Sequence, residues 1–310
     1  FVAYFPQLVA GPIERARQLM PQLSPERRYP DTGRVYSAVA LIIVGLFKKV
    51  ALADQLAPIV ARTFSGASDL GSLDLIAGMV AFGIEIYTDF SAYTDIARGS
   101  SRLLGIDLIE NFRQPYFSRS VTEFWRRWHM SLSSWLRDYL YIPLGGNRKG
   151  TRRTALNILV TMLLGGLWHG ASWTFVAWGG LHASFLIVER FSRSRGAASA
   201  NPARDFVKIL RTFALVTVAW VFFRAASFDQ AFDYLRGVFS LRGLDHLPAQ
   251  WYNLAGIAMA TFALDLIRSA RGAAILFRHP VLAGAALGLM TVGLITESAG
   301  SFAPFIYLRF

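Results

Sequence analysis

His169 stands in Gly165-Gly166-Leu167-Trp168-His169-Gly170-Ala171-Ser172. From Thr154 to Val188 the only ionisable side chains are His169 and His182. An ionisable group at membrane depth is costly, and is a functional candidate by default. A neutral imidazole, with an ordinary pKa near ~6.5, is the natural general base at neutral pH, and burial favours its uncharged form. One such base can take the proton of a hydroxyl as it attacks a thioester, an effect typically worth about 10²–10⁴-fold. The indole N–H groups of Trp168 and Trp173, or a second histidine, can orient substrate or stabilise the oxyanion. The competing reading is a helix hairpin whose histidine simply packs against a neighbouring helix. Gly165, Gly166 and Gly170 are expected to weaken the helix around His169, which inside a membrane requires a protein-lined or wet surrounding.

The second histidine, His129, lies in SRSVTEFWRRWHMSLSSWLRDYLYIP, residues 118–143. Ser120 and Glu123 have the spacing of a capping box, so a helix is expected to start there. Trp125, Trp128, Leu132, Trp135 and Tyr139 follow a three-four spacing and make one aromatic stripe, with Arg126, Arg127 and Arg137 mostly opposite. A basic amphipathic helix rich in tryptophan suits a membrane interface. His129 sits at the edge of the stripe, where it either turns into the protein as a chemical group or merely packs. Elsewhere, Glu85 and Asp89 are four residues apart and share one side of a helix over 72–98. They either line a polar cavity or form a structural ion pair with another segment. Asp95 is expected to pair with Arg98 one turn on.

These residues must be held by a membrane protein. The chain is 54% hydrophobic and 14% aromatic, and only 17% of its 310 residues are charged. Several runs approach the ~20 apolar residues of a membrane span. The net charge of +12 does not point to nucleic acid, because the basic residues collect in short loops between apolar runs, as the positive-inside rule predicts. The absence of cysteine excludes disulfides, thiolate metal sites and a cysteine nucleophile. Nor is there an H-E-x-x-H set, a G-x-S-x-G elbow, a dinucleotide fingerprint or a P-loop, so no metal site is expected.

Residues 1–35 are broken by five prolines and read as a re-entrant or interfacial segment ending in a cytoplasmic loop. Residues 36–61 read as an apolar helix whose Lys48-Lys49 pair snorkels to an interface. Two spans of about 17 residues, shorter than a full crossing, form the 154–188 hairpin. Further apolar runs lie near 212–224, 251–267 and 281–296. Basic loops at 143–153, 190–211 and 268–279 are placed in the cytoplasm, and the 224–250 connection and the C-terminus outside. The chain starts at Phe1 rather than Met and reads as one membrane domain, 1–310, lacking upstream spans.

The blocks YTDFSAYTDIARG, ENFRQPYFSRSVTEFWRRWHMSLSSWLRDYLYIPLGGNRKG and LLGGLWHGASWTFVAWGGLHA strongly resemble the membrane-bound O-acyltransferase family. The nearest branch is that of bacterial alginate and cell-wall polysaccharide acylation. The similarity runs from FVAYFPQLVAGPIERA to PFIYLRF. The resemblance implies an all-α, multi-pass domain in the bacterial inner membrane, with a central funnel or tunnel and interfacial or re-entrant helices. It matches His169 and His129 to catalytic positions, and His182 to a further histidine of the family. Trp168, Trp128, Trp125, Asp89 and His182 are the candidate substrate-binding residues. The implied reaction moves an acetyl or other acyl group from a cytoplasmic thioester such as acetyl-CoA, with no bound cofactor and no metal. The acceptor is a hydroxyl of an extracytoplasmic polysaccharide, reached directly or through a partner acetyltransferase. The alternatives are a donor or glycan conduit without bond chemistry, or transfer of D-alanyl, protein or lipid acyl groups.

Overall fold

A computed structural model describes residues 3–8, 10–23, 30–192, 201–244, 247–268, 280–297 and 304–306. Among these every regular element is helical, as the apolar runs predict. In order they are α1 (Ala16–Leu19), α2 (Thr32–Phe47), α3 (Asp54–Ser65), α4 (Ser72–Leu103), α5 (Val121–Trp125), α6 (Met130–Leu136), α7 (Gly150–His169), α8 (Trp173–Ser192), α9 (Pro202–Arg224), α10 (Phe228–Phe239), α11 (Gln250–Ile267) and α12 (Pro280–Glu297). Wider π-helical turns, Lys48–Ala53 and Arg137–Tyr141, follow α2 and α6. Three described stretches are long and apolar enough to cross a membrane: Thr32–Ser65, Ser72–Leu103 and Pro202–Arg224. The expected basic loops lie partly at 193–200 and 269–279, outside the described residues.

Two compact units emerge from the backbone contacts. The first comprises Phe1–Ile59, Ile84–Asn111 and Ala249–Phe310, the second Val60–Gly83 and Phe112–Pro248. Within the first, the structure corrects the reading of Lys48 and Lys49. Neither snorkels; both are buried. The π-helical turn directs two adjacent stems inward, where carboxylates hold them. Lys48 Nζ lies 2.9 Å from Asp95 and 3.1 Å from Ser91 Oγ. Lys49 Nζ lies 2.7 Å from Asp89 and 2.8 Å from Asp54. Charge-assisted bonds of this kind are roughly twice as strong as neutral ones, and they outweigh the gain from hydrating an ammonium at the surface. The local Asp95–Arg98 bond is also superseded: Asp95 binds Lys48 and, through both its oxygens, the guanidinium of Arg268.

In the second unit, α7 and α8 form the expected hairpin, but its glycines act differently from the expectation. α7 runs unbroken through Gly165 and Gly166 and ends at His169. A Cβ on Gly166 would lie 2.2 Å from the carbonyl oxygen of Phe175, and one on Gly179 2.2 Å from that of Met162. The glycines therefore bring two backbones into contact, the usual role of small residues where helices meet in a membrane. α9 begins ten residues before the apolar run at 212, with Asn201 accepting from the amides of Ala203 and Arg204. The 224–250 connection contains α10, a helix the sequence reading left out. Ser227 caps it, and its Ala231, Tyr234 and Val238 are buried at three-four spacing.

The hairpin contact gives a sharp test. Gly166→Ala or Gly179→Ala should overpack the interface and destabilise by about 1–3 kcal/mol or more. Gly180→Ala, whose added carbon meets Leu163 Cδ2 at an ordinary 3.6 Å, should be neutral or slightly stabilising. Unfolding midpoints of the detergent-solubilised protein decide it, and equal midpoints for all three variants would contradict the packing.

Candidate functional site

The stretch carrying His129 is not one helix over 118–143. Ser120 does cap α5, its Oγ accepting from the amide of Glu123 at 3.0 Å. Glu123 reaches back one residue further than a standard capping box, to the amide of Arg119 at 2.8 Å. Glu189 of α8 takes the next free donors, the amides of Val121 and Thr122. The helix then ends at Trp125, and a turn leads to His129, whose backbone is left-handed with φ 41° and ψ 55°. Histidine is among the residues enriched there, but the conformation is uncommon for any side chain with a Cβ. α6 starts at the next residue. This break divides the expected aromatic stripe. Trp128 is buried, with ring centroids 5.4 Å from Phe124, 5.0 Å from Phe112 and 5.1 Å from Trp220. Trp135 and Tyr139 remain exposed.

The same turn rotates His129 into the protein, where it is 3% exposed, with Nδ1 3.4 Å from Ser131 Oγ. His169, at the C-terminal end of α7, is half-buried. Aromatic rings wall it: Trp168 at 5.1 Å, Phe223 at 5.0 Å and Trp178 at 5.2 Å, the last at right angles. The His129 ring lies 6.3 Å from Trp168, so the two histidines contact one indole. His129 lies in the turn between two short helices, outside the spanning segments. Burial, with the nearby His169 adding to it, pushes its imidazole down to about 3. The ring is therefore neutral at physiological pH, as a base or an acceptor must be.

His182 is fully buried one turn after Trp178 on α8. Its Nδ1 accepts from Trp125 Nε1 at 3.2 Å, which places the ring proton on Nε2. Phe124 lies nearly parallel to its ring at 6.2 Å, and Trp178 meets it edge-on at 4.9 Å. Trp178 thus touches both His169 and His182, and with Phe223 and Trp220 it is a site residue that sequence reasoning missed. A signal was present: Trp178 stands four residues before His182 and so on the same helix face. Trp168, 55% exposed, has its ring near both His129 and His169, whereas Trp173 is 75% exposed. Asp89 belongs to the other unit, where Lys49 and the backbone N–H of Ile306 hold its two oxygens at 2.7 and 2.6 Å. Among the described residues, no three His, Asp or Glu side chains gather as a metal-ligand set.

The Trp125–His182 bond is testable by itself. Trp125→Phe leaves a buried ring nitrogen without its donor and should destabilise by about 1–3 kcal/mol. Adding His182→Phe should recover much of that loss, because both polar partners are then gone. A double-mutant cycle on thermal midpoints measures the coupling, and simple additivity would contradict the bond.

This arrangement can be set beside known proteins. The model of the membrane-bound O-acyltransferase family matches residues 1–228. A protein of Azotobacter vinelandii named a probable alginate O-acetylase is 46% identical over 86% of this chain and 52% of its own length. One of the same name from Pseudomonas putida is 39% identical across 100% of this chain and 68% of its own. The peptidoglycan O-acetyltransferase of Helicobacter pylori is 38% identical over 79% of this chain and 46% of its own. The chain spans about half the length of most of these relatives. A match over that much of the sequence settles the kinship: the chain belongs to the membrane-bound O-acyltransferase family.

Proposed function

We propose that this chain carries the acyl-transfer site of an O-acyltransferase in a bacterial inner membrane. It takes an acetyl group from a cytoplasmic thioester such as acetyl-CoA and passes it toward hydroxyls of an extracytoplasmic polysaccharide. A partner acetyltransferase receives the group, or the polysaccharide does so directly. The observation that carries this reading is the pair His129 and His169 on one indole at the end of α7. His169 is half-buried and walled by aromatic rings, so a base there meets substrate in a low-dielectric surrounding.

In the proposed step His169 takes the proton of the attacking hydroxyl. The oxygen forms a C–O bond to the thioester carbonyl, the C–S bond breaks, and the imidazolium returns a proton to the departing thiolate. His129 assists or positions the acyl group, and the Trp168 ring lies near both. Trp125 and His182 hold the wall behind His169, with Trp128 packed beside Phe124. No resident cofactor or metal is needed for this chemistry. A funnel opening from the membrane fold would admit the two substrates. Asp89, engaged with Lys49, fits the structural ion-pair reading better than substrate binding.

The relatives support acetyl over D-alanyl transfer: teichoic acid D-alanyltransferases are 32% and 26% identical to this chain, the O-acetylating ones 38–46%. A conduit without bond chemistry is the reading to be excluded. In the full-length protein, His169→Ala should lower polysaccharide acetyl content by about 10²-fold or more at equal protein level, and His129→Ala should lower it less. Unchanged acetylation in His169→Ala would remove His169 as the base. Failure of the purified wild type to hydrolyse or transfer the donor would favour the conduit.

A further inference from the structure

A cavity of about 510 Å³ lies in the second unit between α5, α6 and the hairpin α7–α8. Among the described residues its lining includes Arg126, Arg137 and Arg190 and no acidic residue. The same wall contributes apolar floor: Met130, Leu136, Ile158, Met162 and Leu186. Arg126 and Arg190 are exposed, and neither has an acidic partner within salt-bridge distance among the described residues. The carboxylates nearest in sequence are committed elsewhere. Glu189 accepts from the amides that open α5, and Glu123 binds Arg127 and the Arg119 amide. Only Arg137 is paired, to Asp138 at 2.7 Å.

Three guanidinium groups over an apolar floor describe a ligand with a fixed negative head and a hydrocarbon body. The flanking residues place that head at a membrane surface. Trp135 and Tyr139, exposed with ring centroids 5.2 Å apart, are of the type that anchors helices at headgroup level. Basic pockets between helices on the cytoplasmic side are sites for acidic lipid headgroups, and guanidinium binds phosphate oxygens in matched pairs. We infer that this cavity is a binding site for an acidic phospholipid of the bilayer. Its phosphate sits on Arg126, Arg137 and Arg190, and an acyl chain lies along Met130, Leu136, Ile158 and Leu186. A zwitterionic lipid has the same phosphate but adds a cation, which three arginines disfavour. Trp125 also lines the cavity and donates to His182, so an occupied pocket would brace the wall behind His169.

The full-length protein is placed in phosphatidylcholine nanodiscs and titrated with phosphatidylglycerol, reading bound lipid by native mass spectrometry and the thermal midpoint in parallel. Saturable binding with a raised midpoint is expected, and it should weaken roughly tenfold to a hundredfold in R126Q/R137Q/R190Q. R152Q/R153Q, in the neighbouring basic segment, should bind as the wild type does. Leu186→Trp, which fills the floor without touching a charge, should also weaken binding, and an unshifted midpoint in phosphatidylcholine alone shows that each variant is folded. Equal binding of phosphatidylcholine, or equal loss in R152Q/R153Q, would overturn the site. So would displacement of the lipid by coenzyme A at concentrations that leave R126Q/R137Q/R190Q untouched, since the pocket would then belong to the thioester donor. None of these readouts uses acyl transfer, so the inference stands or falls apart from the proposed activity.

Discussion

The backbone contact between α7 and α8 is the constraint on which the histidine site depends. Gly166 and Gly179 allow each helix to rest against a carbonyl of the other, and no side chain larger than hydrogen fits at either point. Lipid tails are as apolar as leucine, so no hydrophobic force drives two helices together inside a bilayer; close packing has to do so. With the hairpin closed at those two positions, the end of α7 is fixed against the start of α8. His169 then meets Trp178 and Phe175, and His182, one turn past Trp178, is carried to Trp125 and Phe124. A looser hairpin would leave the same residues on the same helix faces without bringing the rings together.

What surrounds the histidines is largely aromatic. Aromatic faces and edges line the rings of His169 and His182, so a charge or dipole there is felt in a low-dielectric surrounding. The His182 ring accepts a hydrogen bond from an indole N–H, which fixes a tautomer without adding charge. His129 is treated differently. Its left-handed backbone interrupts what would otherwise be a continuous surface helix, and a conformation of that kind persists only where its surroundings over-determine it. Here Trp128 on one side is packed among Phe124, Phe112 and Trp220, while α6 begins on the other. The strain and the burial of the histidine have one origin.

Much of this was legible in the residues. Apolar runs marked the membrane helices, and the scarcity of ionisable groups between Thr154 and Val188 singled out His169 and His182. The Ser120 cap located the start of α5. The break at His129 was not legible, because Trp125, Trp128, Leu132 and Trp135 keep a helical spacing through it, and periodicity reports only what an unbroken helix would do. α10 was hidden by the mixed charge of its exposed face, although Ala231, Tyr234 and Val238 kept the buried spacing. The role of Gly166 and Gly179 was misread for a similar reason. A glycine in an apolar run signals either a weak helix or a close neighbour, and only the partner helix decides between them.

The same limit governs Lys48 and Lys49. A lysine pair in an apolar helix reads as snorkelling when the helix is considered alone. The acidic residues of α4 and the arginine beyond α11 reverse that. Lys48, Lys49 and Arg268 face Asp54, Asp89 and Asp95, and buried Asp265 accepts from the Tyr87 hydroxyl beside them, so each of these cations is held by a carboxylate. Such a cluster adds little net stability over well-packed apolar residues, but removing one member leaves an uncompensated charge and is strongly unfavourable. Asp89 therefore has sufficient reason to be acidic without a substrate. The carboxylate that the sequence offered either as cavity lining or as an ion-pair partner is held at one oxygen by an ammonium and at the other by a backbone amide, the engagement that the ion-pair reading requires.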